Sequence, residues 1–539
     1  MKTISSNVWF KGAFILTIAA LVTKILSAIY RIPFQNIVGD TGFYIYQQVY
    51  PFYGVVVSLS TYGFPVVLSK LYMEMKVEGN QSGIEKLVNS SFFLLFFIGF
   101  LSFIMLFFSS ENLAIWMGDP HLSPLLKVIS FTFLLSPFIA TIRGVFQGEG
   151  NMLPTAVSQV GEQTIRVGTI LFAAIFFSYQ GYSLYFIGAG ALFGSITGGA
   201  LCLVILLLFY KKARYPLSFF RLSTFMHKEN RALQRRILYE GITISISSML
   251  LILLQLADSL NLYSLLLESG VNPESAKVLK GVYDRGQPLI QIGTIISTSM
   301  ALAIVPLITK DKQNGDKVGL VKNIRFSILI SFFIGLGAAV GLISIIKQTN
   351  SMLFENKNGS DVLGILCCVI FLNALIATMT AILQGLGHSI YPAILIVLGF
   401  ILKYMINGWL VSIFGINGAA YSTLFVLLII LLFMSSKLKR IVRIAIVDYK
   451  QLASIVFAGI IMFIVLKVFL LFSTSLIEGA IDNERIRDAI QALAGVIIGG
   501  FVYVFIVLKQ KVFKEEDLLL LPFGNKLAWF LPKNKEKKL

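Results

Sequence analysis

Several windows of roughly twenty residues carry almost no charge, among them Ser90 to Ser109 and Gly418 to Ser436. A helix of that length spans a hydrocarbon core of about 30 Å. One soluble core cannot hide so many of them. Only 13% of the 539 residues are charged, against about a quarter in a soluble domain. Alternating strand patterns that would suit a membrane barrel are absent. Backbone groups in lipid must be satisfied within the segment, so the expected fold is all-α.

Fourteen spans are expected, near 10–33, 43–70, 88–109, 124–146, 154–178, 183–210, 237–267, 281–309, 324–346, 361–385, 390–414, 416–436, 450–473 and 488–509. The net charge of +18 comes from Lys and Arg in short loops, a pattern of cytoplasmic loops and not of a nucleic-acid surface. Lys211, Lys212, Arg214, Arg221, Lys228, Arg231, Arg235 and Arg236 follow span six. Lys310, Lys312, Lys317, Lys322 and Arg325 follow span eight, and Lys437, Lys439, Arg440, Arg443 and Lys450 follow span twelve. All three loops then lie on the cytoplasmic side, together with both termini. The tail from Lys509 mixes apolar residues with lysines and suits either an interfacial segment or a free basic tail.

A repeat runs through the chain. Ile139-Ala140-Thr141 leads after five residues to Gln147-Gly148-Glu149-Gly150, and Ile376-Ala377-Thr378 leads after five to Gln384-Gly385-Leu386-Gly387. Each glycine turn meets a proline soon after, Pro154 or Pro392. Glycine permits the tight exit and proline suits the next first turn. Ser60-Thr61 with Pro65 and Lys70, and Ser297-Thr298 with Pro306 and Lys310, form a weaker match. The spacing predicts a duplicated six-helix unit with its transport site between the halves. The expected division is an N-lobe with its loop at 1–236, a C-lobe at 237–449, two further helices at 450–509 and a tail at 510–539.

Charges inside spans are the functional candidates, since each costs at least about 2.5–3.5 kcal/mol at mid-bilayer. Lys24 lies deep in span one. Arg31 and Arg143 fall near span ends, where snorkelling is the competing explanation. Lys127 and Lys467 read as ordinary interface anchors. Glu162 and Arg166 are spaced i, i+4 and can pair on one helix face. Asp258 in span seven and Lys403 in span eleven invite a buried ion pair. Asp284 and Arg285 begin span eight and point about 100° apart, so one does not simply cancel the other. Cationic groups facing one cavity attract an anion, Arg through its fork of donors and Lys as a point charge. Cys202, Cys367 and Cys368 lie in apolar spans without metal or disulfide spacing, and His121, His227 and His388 share no ligand spacing. No phosphate-binding loop, zinc motif or nucleophile elbow is present.

The stretches Thr23-Lys24-Ile25-Leu26-Ser27, Tyr30-Arg31 and Val38-Gly39-Asp40, with Tyr44 to Pro51, Ser60-Thr61-Tyr62-Gly63-Phe64-Pro65, Leu68-Ser69-Lys70 and Tyr283-Asp284-Arg285, carry a family resemblance. The chain resembles the polysaccharide and lipid-linked-oligosaccharide flippase branch of the MATE-like exporter superfamily, near the stage V sporulation protein B group. The resemblance implies two six-helix lobes in a V that rock between inward-open and outward-open states. It implies a cation-lined cavity for an undecaprenyl-pyrophosphate-linked sugar, with Lys24, Arg31 and Arg285 as cavity cations and Arg166 beside them. Lys24 stands where lipid II flippases carry arginine.

Some members of the branch bind sodium between spans seven, eleven and twelve. Asp258, Asn407 and Thr423 fall on matching positions, and the Lys403 ammonium is expected to take the cation's place. The expected activity is that of a monomeric transporter, not an enzyme, with membrane lipid and a lipid-linked sugar as partners and no cofactor, metal or nucleic acid. The competing readings are a multidrug antiporter on the same fold, a membrane enzyme of lipid-linked sugar metabolism, and a scaffold. The antiporter would want carboxylates in the first half, where Glu162 is the deep candidate.

Overall fold

The computed structural model describes residues 6–213, 230–442, 448–477 and 481–513. Most of the basic loop after span six (214–229), part of the one after span twelve (443–447) and the tail from residue 514 lie outside the described residues. So do the side chains of Ser297, Thr298, Pro306 and Lys310, and with them the weaker repeat match.

Among the described residues every regular element is a helix. The first unit begins with α1 (Ser6–Ile29), α2 (Arg31–Val57), a π-helical stretch (Ser58–Gly63), α3 (Phe64–Val77), α4 (Gln81–Phe108), α5 (Ser110–Trp116) and α6 (Ser123–Ser130). It continues with α7 (Thr132–Gly148), α8 (Leu153–Tyr179), α9 (Leu184–Lys212), α10 (Arg231–Ser248), α11 (Leu250–Glu268) and α12 (Pro273–Asp284). Then follow α13 (Gly286–Gln313), α14 (Lys317–Ser344), α15 (Ile346–Phe354), α16 (Ser360–Gly385), α17 (Ile390–Phe414), α18 (Ile416–Val442), α19 (Tyr449–Ile477) and α20 (Glu484–Lys509). Short polar residues set the starts. The Asn80, Ser183, Asn272, Asp316 and Asn483 side chains each accept a backbone N–H three residues on, satisfying donors that have no partner inside the helix.

The chain forms two compact units, Met1–Pro288 with Ser389–Ser422, and Leu289–His388 with Thr423–Leu539. In the first, α8 packs along α9 and α1, α7 against α3 and α4, α12 against α2, and α11 against α17. Its apolar core gathers Phe64, Leu68, Leu71, Leu87, Ile142, Phe146 and Leu206. In the second, α14 packs on α16 and α19, and α20 on α19 and α15, around Leu329, Ile345, Met462, Leu466 and Tyr503. Large apolar side chains also face outward, such as Phe97, Phe100 and Leu101 on α4 and Phe172 and Phe176 on α8. Lipid accepts that surface; water would not.

Twelve helical segments among the described residues are long and apolar enough to cross a membrane, where the sequence predicts fourteen. Predicted spans one and two are joined in one helical run, whose apolar stretch covers Ile15–Val77. The loop expected between them stays helical because Tyr30 N–H still bonds Leu26 O and Phe34 N–H bonds Tyr30 O, while Gly39 (φ +69°) supplies a kink. Predicted span seven is broken at Met249 into α10 and α11. Asp284 and Arg285 do not open span eight; they close α12, a helix lying where the sequence suggested an outer loop, and α13 starts at Gly286.

The two glycine turns have the same backbone. Glu149, Gly150 and Asn151 donate to the carbonyls of Val145, Gln147 and Phe146, and Leu386, Gly387 and His388 donate to those of Ile382, Gln384 and Leu383. Gly150 and Gly387 both sit at φ +81°, the left-handed conformation that ends such helices. Gly148 and Gly385 are the last residues of α7 and α16. The clamps differ. Glu149 is held by Tyr72 and Lys76, whereas Lys312 Nζ reaches Leu386 O at 2.7 Å.

Candidate functional site

Tyr46, Tyr50 and Tyr53 recur at i, i+4 and i+7 along α2, and so share one helix face. Tyr30, at the corner between α1 and α2, donates to or accepts from Tyr46 across 2.8 Å. Two guanidiniums enter this aromatic nest. Arg31 lies 4.4 Å from the Tyr50 ring centre. Arg166 on α8 lies 4.6 Å from the Tyr53 ring and 5.5 Å from the Tyr30 ring, and donates to Tyr30 Oη at 3.4 Å. Ring faces attract cations, by about 2 kcal/mol or more where water is excluded.

Arg166 is only 2% exposed, and among the described residues it makes no ion pair. Its Nε is without a hydrogen-bond partner, as is Nε2 of Gln163 one turn earlier. Lys24 stands half-buried on α1, seven residues before Arg31. The site is therefore aromatic, positively charged and only partly satisfied by the protein, which suits an anion carrying hydroxyl or amide groups.

The i, i+4 pair expected of Glu162 and Arg166 does not form. Glu162 Oε2 accepts from Arg143 Nη2 at 2.9 Å and Oε1 from Tyr53 Oη at 3.2 Å. Arg143 is not a snorkelling residue either. It is fully buried, and it also donates to Thr61 Oγ1 at 2.8 Å, Ser158 Oγ at 3.3 Å and Cys202 Sγ at 3.1 Å. The reason is packing: Arg143 reaches Glu162 Oε2 from α7, while the Arg166 side chain lies among the Tyr30, Tyr50 and Tyr53 rings. Arg31, near a span end, is likewise buried and not at an interface. Lys127 is exposed and pairs with Glu111 at 2.7 Å. Lys467 donates to Ser344 O at 3.0 Å.

A second polar cluster in the same unit joins α2, α11, α12 and α17. Lys403 Nζ lies 2.5 Å from Asp258 Oδ2, so the two opposite charges picked out in spans seven and eleven meet. Tyr283 Oη donates to Asp258 Oδ2 at 2.9 Å, and Asn407 Nδ2 to Asp258 Oδ1 at 3.1 Å and to Asn261 Oδ1 at 3.0 Å. Ser422 Oγ closes the network on Asn407 Oδ1; Thr423, the neighbour the sequence favoured, belongs to the other unit.

Lys280 Nζ bonds both Asp284 oxygens at 2.7 Å. Arg285, expected as an open cavity cation, is gripped by Asp40 in a two-point contact, Nε to Oδ1 at 2.9 Å and Nη2 to Oδ2 at 2.6 Å. Gln35 Nε2 adds a third bond to Asp40, at 2.9 Å.

Sequence reasoning gave no role to Asp40, Lys280, Asn261 or Ser422. Lys280 looked like a loop residue, and nothing local signals that α12 packs on α2. The tyrosine spacing on α2 was a readable signal.

Comparison with known proteins adds the following. The sequence profile of the family described as polysaccharide biosynthesis protein matches residues 9–311. In Bacillus subtilis (strain 168), the membrane protein YabM is 39% identical over 98% of this chain and 97% of its own. The lipid II flippase MurJ of the same strain is 24% identical over 78% and 80%, and stage V sporulation protein B is 29% identical over 38% and 40%. Among solved structures, lipid II flippase MurJ in an inward closed conformation matches with a TM-score of 0.66 over 92% of this chain and 98% of that one, at 14% identity. An inward-facing multidrug MATE transporter of the MOP superfamily matches at 0.63 over 78% and 95%, at 16% identity. At such identities the structural likeness is one of fold.

Proposed function

The chain belongs to the polysaccharide biosynthesis protein family and is a multi-pass membrane protein, and from that premise we propose that it is a flippase. It moves the headgroup of an undecaprenyl-pyrophosphate-linked sugar, a lipid II or polysaccharide repeat unit, outward across the cytoplasmic membrane. The observation that carries this reading is Arg166, buried among tyrosines and making no ion pair among the described residues. Arg binds phosphate oxygens in a fork, and Lys binds them as a point charge. In this reading Lys24, Arg31 and Arg166 hold the pyrophosphate, and Arg285 joins them when its carboxylate partner is displaced.

The headgroup needs such a path because its charges and hydroxyls would otherwise cross hydrocarbon unsatisfied. The lipid tail stays in the bilayer, against the helices of residues 450–509. The lobes of residues 1–236 and 237–449 alternate in access, with both termini cytoplasmic. An inside-negative potential favours outward movement of an anion by about 2.3 kcal/mol per charge per 100 mV. Lys403 supplies the positive charge beside Asp258, so transport is expected to proceed equally when sodium is replaced by potassium; a requirement for sodium would remove that role.

The test of the main reading is a precursor-accessibility assay in cells. Arg166→Met and Lys24→Ala should each lower flipping by about tenfold or more, and unchanged flipping in both would remove the anion site. A dye-efflux assay addresses the antiporter: efflux of organic cations that survives loss of Arg166 would favour that function instead.

A further inference from the structure

Glu162 sits four residues before Arg166 on α8, a spacing at which carboxylate and guanidinium ordinarily attract one another on a helix surface. If they paired, the positive charge at the tyrosine nest would be cancelled from within. Both Glu162 oxygens are instead occupied elsewhere, by Arg143 and Tyr53. Arg143 cannot easily follow Glu162 away. Its other donors are fixed by Thr61, Ser158 and Cys202, on the π-helical stretch, α8 and α9.

We propose that Arg143 is a positioning residue that guards the anion site: by sequestering Glu162 it keeps the Arg166 charge available to the pyrophosphate. The inference rests on the reading of the Arg166 nest as the anion site. It assigns Arg143 no contact with the substrate. The Glu162 side chain is only 16% exposed beside Arg143; without Arg143 its carboxylate keeps the Tyr53 hydroxyl but loses its cation, and a mostly buried carboxylate left without an ion-pair partner is strongly destabilised until it meets another. On its own helix that cation is Arg166. The substrate then has to compete with a tethered carboxylate for the same fork of donors.

The experiment uses the purified full-length protein and native mass spectrometry of bound undecaprenyl pyrophosphate. Arg143→Met should weaken binding by about tenfold or more. Adding Glu162→Gln to Arg143→Met should bring binding back to within about threefold of the parent, because the competing charge is gone. Arg143→Lys, which keeps a cation for Glu162, should bind nearly as the parent does. A merely structural Arg143 would not be rescued by deleting its partner's charge, so a double variant no better than Arg143→Met overturns the proposal. Should Arg143→Met not yield folded protein, Arg143→Gln takes its place under the same criterion. Arg166→Met separates the two readings. If it binds as the parent does, the anion site fails and the guard with it. If it loses binding while the double variant is not rescued, the guard alone fails.

Discussion

The two buried polar clusters of the first unit are built from the same kinds of side chain and differ in their charge sum. The network on α2, α11, α12 and α17 sets Lys280, Arg285 and Lys403 against Asp40, Asp258 and Asp284, three positive and three negative. The nest on α1, α2, α7 and α8 sets Arg31, Arg143 and Arg166 against Glu162. Balanced charges with satisfied hydrogen bonds hold helices in register, and they reach a ligand only where a partner such as Asp40 is displaced. A surplus of guanidiniums clad in phenol rings is costly to keep and is tolerated where an anion is to be met.

The largest effect expected from this contrast is on stability. Asp258→Ala leaves the Lys403 ammonium buried without its partner and should cost about 3–5 kcal/mol, read as a fall in the thermal unfolding midpoint in detergent. Asp258→Leu with Lys403→Met should recover most of it. If the single substitution were silent, the balanced network would not be a structural device.

Arg166→Met should behave in the opposite way. It removes a buried charge that has no ion-pair partner among the described residues, so its stability should stay within about 2 kcal/mol of the parent even as undecaprenyl pyrophosphate binding is lost. A large destabilisation without loss of binding would place Arg166 with the structural cluster.

The smallest effect belongs to a charge group at the solvent edge of the second unit, where Lys357 Nζ meets Glu484 at 2.8 Å and Asp488 at 3.0 Å. Burial opposes protonation of Lys357, but the hydrogen bonds to Glu484 and Asp488 outweigh it and raise its pKa. A raised lysine contributes stability below its unfolded pKa and loses it as pH rises through the folded value. The contribution is therefore present at neutral pH and lost on the alkaline side, and Lys357→Ala at neutral pH should lower the unfolding midpoint by about a degree.

Much of the helical frame is legible in the sequence because burial in lipid forces long apolar runs. Asp258 and Lys403 are legible for the same reason: a lone charge of each sign inside two such runs has few ways to be satisfied. Lys280 and Asp40 were not, because a charge at the end of an apolar run looks like an interface residue until a distant helix covers it. The partner of Arg285 lies 245 residues away along the chain. The choice of Glu162 between Arg143 and Arg166 was also hidden. Helical spacing names the local candidate, and only the packing of α7 beside α8 shows the competitor.

The wide turn at Ser58–Gly63 sets an angular phase. Above it lie the tyrosines of the nest; below it Phe64, Leu68 and Leu71 point into the apolar core. A π turn contains one residue more than the regular spiral needs, which rotates everything downstream by about 100° relative to an unbroken rod. Position 63 leaves no room for a side chain, since a methyl group there would come within 1.7 Å of Ser245 Oγ and 2.8 Å of its Cβ. Deleting one residue from this stretch would heal the spiral and force a choice. Either the phenols stay on Arg31 and Arg166 while the leucines swing toward lipid, or the core stays filled and the phenols turn away from their cations.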